Sequence, residues 1–130
     1  MAKTAVVALG GNAITRSGQR GTFAEQLANS VPLAEAVWRV RAAGWDVVVV
    51  HGNGPQVGNL AVQQEEAARR VPEQPMFVLG AMTEGQLGSL LALALRNTAG
   101  NTAGNTAGNA AGPVPPGVVS VVTHVVVDGA

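Results

Sequence analysis

Two glycine-rich loops contain the residue types best suited to chemistry in this sequence. Glycine lets a ligand approach the backbone closely, and successive backbone amides can point at a single anion. Each loop follows a short valine-rich run, and the second is followed by a helix, whose N-terminus favours negative charge. The pair therefore predicts a phosphate or carboxylate site. Its candidate binding residues are Gly10, Gly11, Asn12, Gly52, Asn53 and Gly54.

The alternative for the first loop is a tight turn in which glycine is needed for positive φ. The glycine spacing matches neither a Walker A loop nor the dinucleotide-binding fingerprint. His51, directly before the second loop, is a candidate for acid–base work. No carboxylate is visibly paired with it, so the favoured interpretation is a partly buried histidine that orients the loop by a hydrogen bond.

The other polar candidates are weaker. His124 lies within a valine run and is expected to be structural, whereas Glu84 either starts a helix or approaches the loops. Glu65-Glu66 and Arg69-Arg70 have i,i+4 spacing and predict a solvated helix face.

The cations of a phosphoryl-transfer site are almost absent. Such transfer needs positive charge on the moving oxygens. The only lysine is Lys3, at the start of the first valine-rich run and so at the wrong end of a strand. Arg16 and Arg20 follow the first loop and can reach an anion there. With no cysteine and 2 histidines, no metal site is predicted, and no residue is assigned as catalytic.

Composition excludes several classes of protein. The 130 residues include 8 Lys+Arg and 8 Asp+Glu, and this zero net charge argues against nucleic-acid or polybasic membrane-surface binding. Charged residues make up only 12% of the chain, which favours burial against a partner or membership of something larger. Neither a signal peptide nor a run of about 18 apolar residues is evident, so the cytoplasm is expected.

Three apolar, valine-rich runs predict strands that are covered on both faces: Thr4–Leu9, Asp46–His51 and Val118–Val127. Helices are predicted from Thr22 to Ala43, from Gly58 to Arg70 with its two arginines at the C-terminal end, and from Leu79 to Asn97. Thr22 and Glu25 have capping-box spacing, Gly44 is the expected stop, and Pro32 should kink or split the first helix. This order of elements predicts an α/β fold with a parallel sheet.

Residues 97–112 repeat NTAG three times and then NAAG, and a Pro-rich stretch continues to residue 117. This composition predicts a flexible loop of about twenty residues, more typical of an inert repeat expansion than of a binding surface.

Four blocks of sequence together resemble the carbamate kinases of the amino-acid-kinase family. They are Val6–Ala13, His51–Leu60, Gly80–Gly85 and Val121–Asp128. The resemblance implies an open αβα sandwich around a mostly parallel sheet. It implies transfer of a phosphoryl group between ATP with Mg²⁺ and carbamate, giving ADP and carbamoyl phosphate, in arginine catabolism and as a homodimer. It places Gly10, Gly11 and Asn12 beside the transferring phosphate, and Gly52, Asn53 and Gly54 at the carbamate or carbamoyl group.

The family's catalytic lysines and nucleotide-binding region have no counterpart in residues 1–130. We therefore expect a truncated domain that is inactive alone and whose missing part would cover apolar surface left bare. The alternatives are a non-catalytic fragment or dimerisation module, and a kinase for another small acid. The block His51–Leu60 argues against the last of these.

Overall fold

A computed structural model describes residues 3–102 and 117–126, and within them the chain forms two strands and four helices. The elements in chain order are β1 (Lys3–Leu9), α1 (Gly11–Ile14), α2 (Phe23–Ala42), β2 (Trp45–His51), α3 (Gly54–Ala67) and α4 (Met76–Thr102). The strands pair in parallel, with Lys3 opposite Trp45 and Leu9 opposite His51. The predicted α/β class with a parallel sheet is confirmed.

Only one face of this sheet is covered by the described residues. Val7, Leu9 and Val49 face the helices and join a core built with leucines of α2 and α4. On the other face Val6 and Val48 are 68% and 48% exposed. Coverage of both faces, as the continuous valine runs predicted, is therefore wrong for the described residues, because α2 and α4 pack on the same side. The expectation that apolar surface is left bare is met.

The core lies between the covered face of the sheet and the crossing of α2 with α4. Ile14 and Leu87 are fully buried in it. Further along, Ala34 of α2 meets Ala94 of α4, where the small side chains let the two helices approach. Beside them the Trp38 indole Nε1 donates to the Leu95 carbonyl at 2.9 Å, so the ring's polar group is satisfied.

Helix α2 has both of the ends that its sequence predicts. The Thr22 hydroxyl accepts from the Glu25 backbone N–H, and the Glu25 carboxylate accepts from the Thr22 backbone N–H at 2.8 Å. Gly44, just past the helix, has a φ of 85°, a left-handed conformation that favours glycine. Pro32 does not split the helix. Proline has no backbone N–H, so the Ala28 carbonyl lacks its usual intrahelical hydrogen bond. Pro32 and Ala28 are both exposed, so water can solvate this carbonyl.

The other two long helices begin earlier than predicted. α3 starts at Gly54 rather than Gly58. Pro55 suits the first turn, because backbone N–H groups there have no acceptor within the helix and proline has none to offer. Arg69 and Arg70 lie in the turn after it rather than in its last turn. α4 runs from Met76 to Thr102, so the first six residues of the repeat are helical rather than loop. The rest of the predicted loop up to residue 116 lies outside the described residues.

The predicted third strand is not formed by residues 118–126, and Val127 lies outside the described residues. This segment lies along α4 instead. The Glu84 carboxylate accepts from the Thr123 backbone N–H at 2.9 Å, and Ser120 approaches Gly88 so closely that no side chain fits at position 88. A valine-rich segment forms a strand only where a neighbouring strand can pair with it. Here the Glu84 carboxylate of α4 accepts from the Thr123 backbone N–H instead. His124 is consequently exposed rather than held within a sheet.

Within residues 3–102 and 117–126, one helix, Met76–Ala99 within α4, is long and apolar enough to cross a membrane. This helix differs from the prediction that the chain has no run of about 18 apolar residues. Four leucines of this helix are buried against the sheet and α2, as in the core helix of a globular domain: Leu87, Leu90, Leu91 and Leu95. Leu93 is 39% exposed.

Candidate functional site

The two glycine-rich loops lie side by side at one edge of the sheet, as predicted from strand order. Leu9 and His51 are paired residues at the ends of β1 and β2. Beyond them, the Gly52 backbone N–H donates to the Leu9 carbonyl at 3.4 Å, which continues the pairing by one step. Gly10 and Gly52 therefore begin their loops from adjacent positions. Parallel α/β sheets bind ligands at this edge.

The local backbone does not account for the glycines of these loops. Positive φ occurs at Gly18, Gly21 and Gly44 but not at the glycines of the two loops. A Cβ built at Gly10, Gly52 or Gly54 would also meet no atom within 4 Å. The turn interpretation of the first loop thus loses its physical basis. The space in front of these positions is open, as the prediction of a phosphate or carboxylate site requires.

The first loop runs directly into α1, which is a single turn. Gly11 opens this turn, and the Ala13 N–H donates to the Gly10 carbonyl at 2.9 Å. Asn12 is exposed, whereas Ile14 at the end of the turn is fully buried and anchors it in the core. The turn is therefore held from beneath while its polar residue faces outward.

Asn53 fixes the second loop to the start of α4. Its Nδ2 donates to the Gly80 carbonyl at 3.1 Å and to the Thr83 hydroxyl at 2.9 Å. Asn53 is also the N-cap residue of α3, yet its side chain makes no capping hydrogen bond. Pro55 has no N–H, so the first turn of α3 leaves the N–H groups of Gly54 and Gln56 without a capping side chain, and such groups bind anions. Sequence reasoning missed Thr83, although it lies in the quoted block Gly80–Gly85.

A buried amide links the two loops from behind. Gln56, in the first turn of α3, is 4% exposed and donates from Nε2 to the Thr15 hydroxyl at 3.0 Å. Its Oε1 has no partner among the described residues. Asn29 of α2 donates to the Ile14 carbonyl at 3.0 Å, which holds the end of α1. Sequence reasoning missed both Gln56 and Asn29. Gln56 lies in the quoted block His51–Leu60, which was the one signal that could have found it, whereas Asn29 lies outside every quoted block.

The remaining polar candidates do not complete a catalytic constellation. His51 is half-buried with Nδ1 3.4 Å from the Gly52 carbonyl oxygen, which agrees with the loop-orienting interpretation. Arg16 and Arg20 are exposed on the segment after α1. Glu84 contacts Thr123, so the question left open by the sequence is settled: this carboxylate holds residues 117–126 on α4.

Apart from Arg16 and Arg20 after the first loop, the positive charge expected of a phosphoryl-transfer site is not found beside the loops as lysine. Lys3 lies at the other end of the seven-residue strand β1, with its Nζ 5.3 Å from the centre of the Trp45 ring. At a rise of about 3.3 Å per residue this is roughly 20 Å from Leu9. Within residues 3–102 and 117–126, no group of three or more His, Cys, Asp or Glu residues is placed to hold a metal ion.

Residues 3–125 match the amino acid kinase family. The chain is 42% identical over 99 residues to the carbamate kinase of Pyrococcus furiosus, covering 75% of this chain and 32% of that protein. It is 43% identical over 93 residues to the carbamate kinase of Escherichia coli K12, covering 72% and 31%. The solved structure of Giardia lamblia carbamate kinase bound to AMP-PNP superposes with a TM-score of 0.73 at 39% identity, covering 77% and 32%.

The fold and the paired loops define an α/β protein with a parallel sheet, and the chain belongs to the amino acid kinase family. It is similar to carbamate kinases over most of its own length. The chain spans about a third of the length of the curated relatives it matches.

Proposed function

We propose that this chain carries the acceptor side of a carbamate-kinase-like site, which interconverts ATP and carbamate with ADP and carbamoyl phosphate in arginine catabolism. The observation that carries the proposal is the pair of adjacent glycine loops, in which neither positive φ nor packing explains glycine at positions 10, 52 and 54. Similarity to carbamate kinases of about 40% identity supports the choice of carbamate as acceptor. The cytoplasm is the proposed location, since both substrates are soluble small molecules.

In this mechanism the backbone does the binding. Gly10, Gly11 and Asn12 border the phosphoryl group in transfer, while Gly52, Asn53 and Gly54 hold the carbamate. Backbone N–H groups and the first turn of α3 donate to anionic oxygens, which spreads the negative charge without a side-chain cation. The hydrogen bond from Gly52 N–H to Leu9 fixes the spacing of the loops before the ligand arrives. Such fixed spacing favours in-line transfer.

The described residues do not fit ATP with Mg²⁺. They hold no group of acidic residues or histidines placed for a metal ion, and their one lysine lies far from the loops. We propose that the ATP side belongs to the two thirds of the relatives' length that this chain does not match.

The first test is activity. The purified 130-residue chain is incubated with ADP and carbamoyl phosphate in an assay coupled to ATP formation. We expect no turnover above the enzyme-free control, because the cations that transfer requires are not assembled. Turnover above that control would contradict the proposed division of the site.

The second test is binding. A ¹⁵N-labelled chain is titrated with carbamoyl phosphate, and backbone amide resonances are followed. We expect concentration-dependent shifts at Gly10, Gly11 and Gly52, with Gly58 in the middle of α3 as an internal reference. Shifts spread evenly over the chain, or none at the loops, would overturn the proposal.

A second function is favoured by the bare sheet face. Val6 and Val48 lie opposite each other on it and are 68% and 48% exposed. Such a face associates with apolar surface, which supports a homodimer or an interaction module rather than an isolated monomer. Size-exclusion chromatography with light scattering should give a defined dimer, and Val48→Lys should give a monomer. A monomeric wild-type chain would contradict this function.

A further inference from the structure

The orientation of the Asn53 side-chain amide is fixed by chemistry as well as by distance. Its two partners on α4 are the Gly80 carbonyl oxygen at 3.1 Å and the Thr83 hydroxyl oxygen at 2.9 Å. A carbonyl oxygen can only accept a hydrogen bond, so the Asn53 atom that faces it must be the NH₂ group. Exchanging the positions of Nδ2 and Oδ1 would set two acceptors against each other.

The Thr83 hydroxyl also serves as an acceptor toward Asn53. Thr83 is fully buried, and its Oγ1 lies 2.9 Å from the Leu79 carbonyl and 3.0 Å from the Gly80 carbonyl. The hydroxyl has one proton, and both of these carbonyls can only accept it. Its lone pairs are therefore what Asn53 meets. Because Thr83 is fully buried, water does not compete for its hydroxyl. The Asn53 amide therefore meets two acceptors on α4, the Gly80 carbonyl and the Thr83 hydroxyl, and no donor.

The opposite side of the amide stays available. Oδ1 and Nδ2 branch from one carbon, so an Nδ2 bound to α4 leaves Oδ1 on the side away from it. Among the described residues, Asn53 Oδ1 has no hydrogen-bond donor, and it does not cap α3. Asn53 is only half-buried. The second loop thus combines backbone N–H donors with a single preset carbonyl acceptor.

We infer that Thr83 is a positioning residue that makes Asn53 present its carbonyl oxygen to the ligand, so that the site selects an acceptor bearing an N–H group. The inference rests on the proposed function. Carbamate and the carbamoyl group have an NH₂ where acetate and the acetyl group have a methyl of similar size. The backbone N–H donors can bond the oxygens of both kinds of ligand, whereas Asn53 Oδ1 can accept a hydrogen bond only from the NH₂ of carbamate or the carbamoyl group. Asn53 Oδ1 would have no hydrogen-bond donor when it faces the methyl group of an acetyl ligand, so the site should favour carbamoyl over acetyl ligands.

The experiment compares carbamoyl phosphate with acetyl phosphate, which have the same shape and phosphate. Dissociation constants of the 130-residue chain for both are measured by NMR titration at one ionic strength. We expect wild type to bind carbamoyl phosphate about tenfold more tightly, the ratio given by one added hydrogen bond. Thr83→Val, which keeps the shape but removes one of the two acceptors that orient Asn53, should lower the ratio, because the Gly80 carbonyl alone then holds the amide. Thr83→Ser, which keeps the hydroxyl, should restore it.

A matched control lies on the same helix. Thr98 is also buried and also returns its hydroxyl to a carbonyl four residues back, that of Ala94 at 2.9 Å. Thr98→Val should alter stability without changing the ratio of the two affinities. Thr83→Ala serves as a second variant if Thr83→Val does not fold. The Asn53 side-chain NH₂ resonances should move in Thr83→Val and return in Thr83→Ser.

The outcomes separate the two proposals. Equal wild-type affinity for the two phosphates, or a ratio that survives both Thr83→Val and Thr83→Ala, overturns the role of Thr83 and leaves the anion site in place. Equal weakening of both ligands by those variants means that Thr83 is only structural, which also overturns it. If wild type binds neither compound, the proposed function fails, and this inference fails with it.

Discussion

Replacing Gly52 with alanine should separate stability from binding in this chain. Gly52 follows β2, has no positive φ, and a Cβ there would meet no atom within 4 Å. The folded structure therefore accommodates the methyl group without strain. The same methyl group would stand in the open space in front of the loop, where a bound anion must approach the backbone N–H groups.

The two effects have opposite signs and separate magnitudes. Alanine in place of glycine at a compatible backbone position stabilises a protein by about 0.4–1 kcal/mol, because the unfolded chain loses freedom. A hydrogen bond to a charged group contributes about 1.5–3 kcal/mol. Loss of one such bond in Gly52→Ala should weaken carbamoyl phosphate binding by roughly ten- to a hundredfold. The variant should thus be slightly more stable and bind much less.

Urea unfolding and NMR titration on the same samples measure both quantities. Gly58→Ala is the matched control, because Gly58 lies inside α3 and also has open space around its Cβ position. Alanine there should stabilise the helix by about 1 kcal/mol and leave the affinity unchanged.

Two results would refute the reasoning. Wild-type affinity in Gly52→Ala would show that the glycine does not serve to admit a ligand. A loss of more than about 1 kcal/mol of stability would show that the loop needs glycine for its own conformation.

Three further predictions concern the frame around the loops. Gly44→Ala should cost about 1–2 kcal/mol by urea unfolding, because φ at this position is 85°, and an unchanged unfolding midpoint would contradict the left-handed helix end. Leu87→Ala should cost about 2–5 kcal/mol, since this side chain is fully buried, and a loss below 1 kcal/mol would place it outside the core. Hydrogen bonds from Thr22 lower the pKa of Glu25 below its ordinary 4.5, so its contribution to stability is present above that pH and is lost as the pH falls further. Glu25→Gln should therefore lose less stability than wild type between pH 7 and pH 3, and equal losses would show that the carboxylate is not stabilised by folding.

The sequence predicted those parts of the fold that local patterns encode. Thr22 and Glu25 at three-residue spacing marked the start of α2, and Gly44 marked its end. The valine runs before Gly10 and Gly52 placed both loops at strand ends, and parallel pairing then brought them together. These features depend on neighbours in sequence or on one pairing rule, so a pattern suffices.

The errors arose where tertiary contacts decide. Val118–Val127 has every property of a strand, but Glu84, distant in sequence, holds the Thr123 N–H on a helix. Pro32 is predicted to interrupt α2, but the helix continues because Pro32 and Ala28 are both exposed and water can solvate the carbonyl that the proline leaves unbonded. Thr83 escaped notice because a buried threonine that returns its hydroxyl to its own helix looks like any core threonine until a partner such as Asn53 is seen.

The continuation of α4 into the repeat has a consequence for tolerance to changes in length. A four-residue unit is close to the 3.6-residue turn of an α-helix, so each unit advances the chain by about 6 Å and rotates it by only about 40°. Thr98, four residues after Ala94, accordingly stays on the buried face, where its hydroxyl bonds the Ala94 carbonyl. Gain or loss of one NTAG unit in this part of the helix would leave the core-facing stripe nearly in register. A repeat of five residues would instead rotate that stripe by about 140°, away from α2.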